Sequence, residues 1–267
     1  MKILFLGDVV GVSGSSKIVS SLKEQIKLKK IDFVIVNGEN AADQGVGITK
    51  KICNDFFNSG VDVITTGNHV WDQKEIMEFI EKEERLLRPK NLIEPAPGKG
   101  FNIYVTNDGI KIGVLNLMGN VFMKKCDDVF KISEKFLKDY KLKENYDLLI
   151  VDFHGEITSE KNAIGHFFDG KASLVVGTHT HIPTNDTRIL KGGTGYQTDA
   201  GMCGDYDSVI GMSKENSIKK FLKKDSLKHF PATGNATLCG VILECNIQTG
   251  LAINIESYIY GDQLKNI

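Results

Sequence analysis

Five short apolar runs each end in a turn carrying a carboxylate, an amide or an imidazole, and that pattern constrains the chain more than any other feature. Residues 3–6 end in Gly7-Asp8, and residues 33–36 in Gly38-Glu39-Asn40. Residues 61–65 end in Gly67-Asn68-His69, and residues 148–153 in His154-Gly155-Glu156. Residues 174–176 end in Gly177-Thr178-His179-Thr180-His181. A further apolar run spans 111–117. Helical periods lie between the runs. Residues 17–29 carry Ile18, Val19, Leu22 and Ile26 at helical spacing after a Gly/Ser loop, with Ser15 or Ser16 as N-cap. Residues 49–58 read as a capped helix stopped by Gly60, and 75–87 as an amphipathic helix ended by Pro89. Further helical patterns cover 131–142 and 159–168. Short β-rich runs alternating with helices predict an α/β fold with parallel strands. Residues 237–244 and 252–260, joined around Gln248-Thr249-Gly250, read as a late antiparallel hairpin. The stretch RPKNLIEPAPGKG holds three of the five prolines and reads as a surface connection. No repeat, low-complexity segment or linker divides the chain, so residues 1–267 are expected to form a single domain.

In open α/β sheets a ligand sits beyond the carboxyl ends of the strands, so groups far apart in sequence should converge there. Three of them directly follow a glycine, which permits a sharp turn and a close backbone approach. Singly, each has a bland reading. A strand-end Asp often caps a helix, H-x-H pairs arise by chance, and a lone His154 suits a satisfied histidine. Together, Asp8, Glu39, Asn68, His154, His179 and His181 predict a metal centre. Imidazole and amide donors with few carboxylates favour Fe, Mn or Zn over Mg. His166, in a helical pattern, and His229, in a Lys-rich loop, are expected in surface or packing roles. Gly7, Gly11 and Gly14 do not fit G-x-G-x-x-G, and no G-K-[ST] follows, so dinucleotide and P-loop readings fail.

Composition narrows the rest. A formal net charge of -1 argues against a broad nucleic-acid or membrane surface. Only three of the 33 basic residues are arginines, so bidentate phosphate clamps are scarce and metals should carry that work. Five cysteines without a C-x-x-C pair suit a reduced compartment and read as small buried hydrophobes. Asp8 breaks the first apolar run too early for a signal peptide, and no run approaches the ~20 apolar residues of a membrane span. A cytoplasmic location is expected.

The segments NGENAADQGVGIT, TTGNHVWD, VDFHGEITSEK, VVGTHTHIPTNDTRIL and TDAGMCGDYDSVIGM resemble those of the calcineurin-like metallophosphoesterases. They are closer to that superfamily's YmdB-like branch, bacterial phosphodiesterases that act on cyclic nucleotides. The resemblance runs from residue 3 to about residue 240. It departs from the wider superfamily at Asp8-Val9-Val10, which lacks the usual histidine, and at Glu39, where an Asp is usual. The branch shares both departures, and there an Asn matching Asn40 fills the vacant position. The resemblance implies an α/β, αββα sandwich with mixed sheets and an active site at the C-terminal strand ends. It assigns Asp8, Glu39, Asn40 and His181 to one metal, and Glu39, Asn68, His154 and His179 to a second, with iron in both and Glu39 bridging. A hydroxide shared by the metals would attack phosphorus, with His69 as general acid. The implied substrates are small phosphodiesters, 2′,3′-cyclic and 3′,5′-cyclic nucleotides. A phosphomonoesterase or protein phosphatase on the same site, or a regulatory protein using it as a ligand receptor, are the alternatives, and homo-oligomerisation is left open. Trp71 could offer a face to a base or could be core.

Overall fold

The computed structural model describes residues 1–224 and 230–264, so His229 lies outside the described residues. In chain order the elements are β1 (Lys2–Leu6), β2 (Asp8–Val9), α1 (Gly11–Lys29), β3 (Phe33–Asn37), α2 (Lys50–Asn58), β4 (Val63–Thr65) and α3 (Ile76–Phe79). There follow β5 (Phe101–Val105), β6 (Lys111–Met118), α4 (Val129–Asp139), β7 (Leu148–His154), α5 (Thr158–Phe167) and β8 (Leu174–Thr178). The remainder is β9 (Arg188–Ile189), β10 (Gly195–Gln197), β11 (Met202–Asp205), α6 (Lys214–Phe221), β12 (Ala236–Cys245) and β13 (Ala252–Tyr260).

Two mixed sheets result. The first runs β2-β11-β12-β1-β3-β4, with β13 also on β12, and the second runs β5-β6-β7-β8-β10-β9. β1, β3 and β4 are parallel neighbours, as are β6, β7 and β8, so the turns after them open on the same side of each sheet. Alternation of side chains sets the layers. Ile3 and Phe5 of β1 enter a core between the sheets with Ile150 and Val176. Leu4 and Leu6 face the other way and pack with Ile18, Leu22 and Phe56 from α1 and α2. Across the second sheet, Leu149 and Val151 meet Phe136 and Ile164 from α4 and α5. Three cores between four layers make the αββα sandwich. Among the described residues, no helix is long and apolar enough to cross a membrane.

Three local expectations are corrected. The helix expected over 75–87 shrinks to Ile76–Phe79, and turns then lead into Leu86 and Leu87, which the sheet takes. Leu86 bridges in parallel to Ile64, and the Leu87 amide donates to the Ile64 carbonyl at 2.8 Å. Leu86 then enters the helix-side core and Leu87 the inter-sheet core, as neighbours on an extended segment must. The Gly/Ser loop is helical from Gly11, and no side chain caps it. The Ser15 hydroxyl instead donates to the Ala41 carbonyl at 2.8 Å. A Cβ on Gly14 would collide with the Cys203 carbonyl, so a glycine there lets the first turn of this helix pack against backbone. The Pro-rich connection is only partly superficial. Arg88 is buried beneath it and donates to the carbonyls of Pro89, Ala96 and Pro97 and to the Glu94 carboxylate. The late hairpin forms where expected, whereas β5, β10 and α6 had no counterpart in the sequence reading.

Candidate metal centre

The strand-end groups meet in one buried cluster. Glu39 and Asn40 lie past the end of β3, where the chain turns, so these neighbours share a side. The Asn40 amide donates to Glu39 Oε1 at 3.2 Å. Glu39 Oε1 also lies 3.0 Å from His154 Nε2, and Oε2 accepts the His69 backbone amide at 3.0 Å. His154 Nε2 is the hub, 3.0 Å from Asn68 Oδ1 and 3.1 Å from His179 Nδ1. On the opposite side, Asp8 Oδ2 accepts the His179 backbone amide at 3.0 Å, and Oδ1 lies 4.0 Å from His181 Nε2. Asn40 Nδ2 is 3.2 Å from the same His181 nitrogen. A Cβ on Gly67 would run into His154 and the Glu39 carboxylate, so glycine is required for the backbone to pass.

Each histidine has its outer nitrogen tied to an oxygen. His154 Nδ1 is 2.9 Å from Thr178 Oγ1, whose own proton goes to Asp152 at 2.7 Å. His181 Nδ1 is 2.7 Å from the Ile210 carbonyl, and His179 Nε2 is 3.0 Å from Glu156. With the outer nitrogens donating, the inner ones direct lone pairs at the cluster, the orientation metal-ligating imidazoles take. Asp8 Oδ1 and Asn40 Oδ1 are buried and meet no hydrogen-bond donor among the described residues. Buried carboxylate and amide oxygens without donors are costly unless a cation takes their place. The donor set therefore fits a metal centre, and ligand atoms of Glu39, His154 and His179 lie within 4.8 Å of one another.

Electrostatics point the same way. Burial alone would depress His154, but Glu39 and Asp8 outweigh it and lift the imidazole to about 9. Burial would likewise raise Glu39, yet the facing His154 holds its carboxyl down to about 2. Burial raises Asp8 against the pull of His181 and His154. Burial, helped by the neighbouring His154, pushes His179 down to about 3. The carboxylates thus favour a positive charge at His154, and His179 beside it stays neutral. His179 and His181 both adopt positive φ, +100° and +67°, a strained backbone that the surroundings must hold in place.

The remaining site residue expected from sequence, His69, is at the rim. Its side chain is 31% exposed, and Nδ1 is held 2.6 Å from Asp72 Oδ2. Sequence reasoning missed Asp72, together with a fully buried support beneath the candidate metal-ligating residues. Asp152 accepts from Thr65 at 2.5 Å, Asn37 at 2.9 Å and Thr178. Burial lifts its carboxyl to about 6 against the facing His154. Its signal was legible, a carboxylate inside the apolar run LLIVDFH. The three arginines are engaged elsewhere: Arg85 over Phe57, Arg88 under the Pro-rich loop, and Arg188 on Asp186 and over Tyr196. His166 is exposed on α5, four of the cysteines are buried as expected while Cys126 is half-buried, and burial pushes all five thiols up.

Four similarities accompany this geometry. The profile of the family described as YmdB-like protein matches residues 4–258. A 2′,3′-cyclic-nucleotide 2′-phosphodiesterase of Bacillus subtilis (strain 168) is 44% identical over 263 residues, covering 98% of each chain. A crystal structure described as a novel phosphatase of Mycoplasma pneumoniae superposes with a TM-score of 0.89 at 37% identity, covering 97% of this chain and 93% of that one. A hypothetical protein from Thermus thermophilus gives the same TM-score of 0.89 and 37% identity, over 97% and 99% of the two chains.

Proposed function

This chain belongs to the YmdB-like family, and from that premise we propose that it is a dinuclear-metal phosphodiesterase that opens 2′,3′-cyclic nucleotides. The observation that carries the reading is the buried cluster itself: inward-facing imidazole nitrogens around carboxylate and amide oxygens that have no donor. Asp8, Glu39, Asn40 and His181 would hold one ion, Asn68, His154 and His179 the other, and Glu39 would serve both. Glu39 suits that role because its Oε1 touches both groups, Asn40 Nδ2 at 3.2 Å and His154 Nε2 at 3.0 Å. Bound metals would supply charge neutralisation at phosphorus and lower the pKa of a water.

The residues do the rest. Thr178, Ile210 and Glu156 orient the three imidazoles, and Asp72 sets the direction of the His69 ring. With Nδ1 on Asp72, His69 can deliver a proton from Nε2 to the leaving ribose oxygen. Hydrolysis adds a water hydroxyl to phosphorus, breaks the phosphorus–2′-oxygen bond and leaves the second water proton on that oxygen. A diester carries one negative charge, so it asks less of arginine clamps than a monoester, and this chain's three arginines are committed elsewhere. Iron is the metal that the resemblance implies, with Mn or Zn accepted by the same donors.

Elemental analysis and a substrate panel test the proposal. Purified protein should carry about two transition metals per chain, and a chelator should abolish hydrolysis. Among cyclic nucleotides, monoesters and phosphopeptides, kcat/KM should be highest for 2′,3′-cyclic nucleotides, with 3′,5′-cyclic ones slower because their ring is less strained. Metal-free protein with chelator-insensitive activity would overturn the metal reading. A preference for phosphomonoesters or phosphopeptides would replace the diesterase with a phosphatase, the description borne by the M. pneumoniae relative.

A further inference from the structure

A cavity of about 450 Å³ opens directly beside the metal centre, and Gly67 and Asn68 belong to both. Its lining is mostly apolar, with Trp71, Met77, Leu92, Ile93, Pro95 and Pro97 among the side chains that form it. Lys124 and Lys125 stand at its rim. We propose that this cavity is the nucleobase subsite, an inference that rests on the diesterase reading and deepens it.

The cavity is built rather than incidental. The Pro-rich wall is pinned from beneath by buried Arg88, which bonds to the Glu94 carboxylate at 2.7 Å and the Ala96 carbonyl at 2.9 Å. A charged group buried to hold a loop keeps the wall in place before ligand arrives, so little ordering is needed on binding. The rim is tied to the catalytic groups. Lys124 Nζ donates to the Asn68 carbonyl at 2.6 Å and lies 3.7 Å from Asp72, the carboxylate that orients His69. Ile93 is 49% exposed here, and Trp71, packed on the helix-side core, also lines the cavity. A flat aromatic ring set among an indole, prolines and aliphatic side chains meets apolar surface, whereas a phosphate finds its charge partners at the lysines and the metal centre. The volume lies within the range of small-molecule sites, roughly 300–1,000 Å³. A substrate with its phosphorus on the metals and its base in this cavity fits both halves.

The test compares substrates that share the strained ring and differ in the base: adenosine 2′,3′-cyclic phosphate and glycerol 1,2-cyclic phosphate. The wild type should prefer the nucleotide, and Ile93→Ala should lower the ratio of the two kcat/KM values about tenfold, through KM. Ala96→Phe, which narrows the cavity from the same wall, should lower it further. Trp71 is the only tryptophan, so its fluorescence reports occupancy without turnover. Adenosine alone should quench it in the wild type and less so in Ala96→Phe. If both substrates are cleaved but the ratio is unchanged in both variants and adenosine gives no quenching, the base subsite is refuted and the diesterase stands. If neither cyclic phosphate is cleaved by metal-loaded wild type, the diesterase reading itself fails.

Discussion

Replacing Lys161 with Met should destabilise the protein by about 3–5 kcal/mol, because it leaves a buried carboxylate without its cation. Lys161, on α5, and Asp199 each retain only 1% side-chain exposure and lie 2.5 Å apart. The same ammonium donates to the Thr178 carbonyl at 2.8 Å. Asp199 in turn accepts the backbone amides of Thr180 at 3.1 Å and Gly201 at 2.9 Å. This pair therefore clamps the strand end on which His179 and His181 hold their positive φ angles. At ~2.1 cal/mol/K per residue the unfolding entropy of the whole chain is about 0.56 kcal/mol/K, so Tm should fall by roughly 5–9 °C. Thermal unfolding followed by circular dichroism measures this directly. Adding Asp199→Asn to Lys161→Met removes the orphaned charge, so the double variant should recover about 2 kcal/mol relative to additivity. Metal content of Lys161→Met should fall as well, since two of the ligands lose their support. A variant with unchanged Tm and full metal would refute the clamp.

Two substitutions separate metal holding from proton delivery. Glu39→Gln should lower metal occupancy at both positions together, since a neutral amide serves two cations poorly; loss of one ion alone would deny Glu39 its shared role. His69→Ala should keep its metals and lose on the order of 10²–10⁴ in kcat. That loss should shrink for p-nitrophenolate leaving groups, which need little protonation, and an equal loss on good and poor leaving groups would remove His69 as the acid.

Much of this protein was determined locally. Continuous apolar runs at residues 3–6 and 148–153 marked both strands as buried, while the pleat that sends neighbours to opposite faces gave each its layers only once the sheets had packed. The sequence also carried the strand-end polar groups that the fold brings together, with Asp8, Glu39 and Asn68 each directly after a glycine. What only tertiary structure decided involves partners distant in sequence. Leu86 and Leu87 suit a helical period, yet pairing with β4 gives each a core, and the sheet wins. Asn40 joins Glu39 only because β3 has ended and the chain turns. Which nitrogen of His154 or His181 faces inward depends on Thr178 and the Ile210 carbonyl, residues 24 and 29 positions away. Asp152, Lys161 and Asp199 do their work through contacts that no local period encodes. A residue's type and spacing declare what it can donate, but the atom that takes the donation is chosen by through-space distance, which exists only once the two sheets have packed.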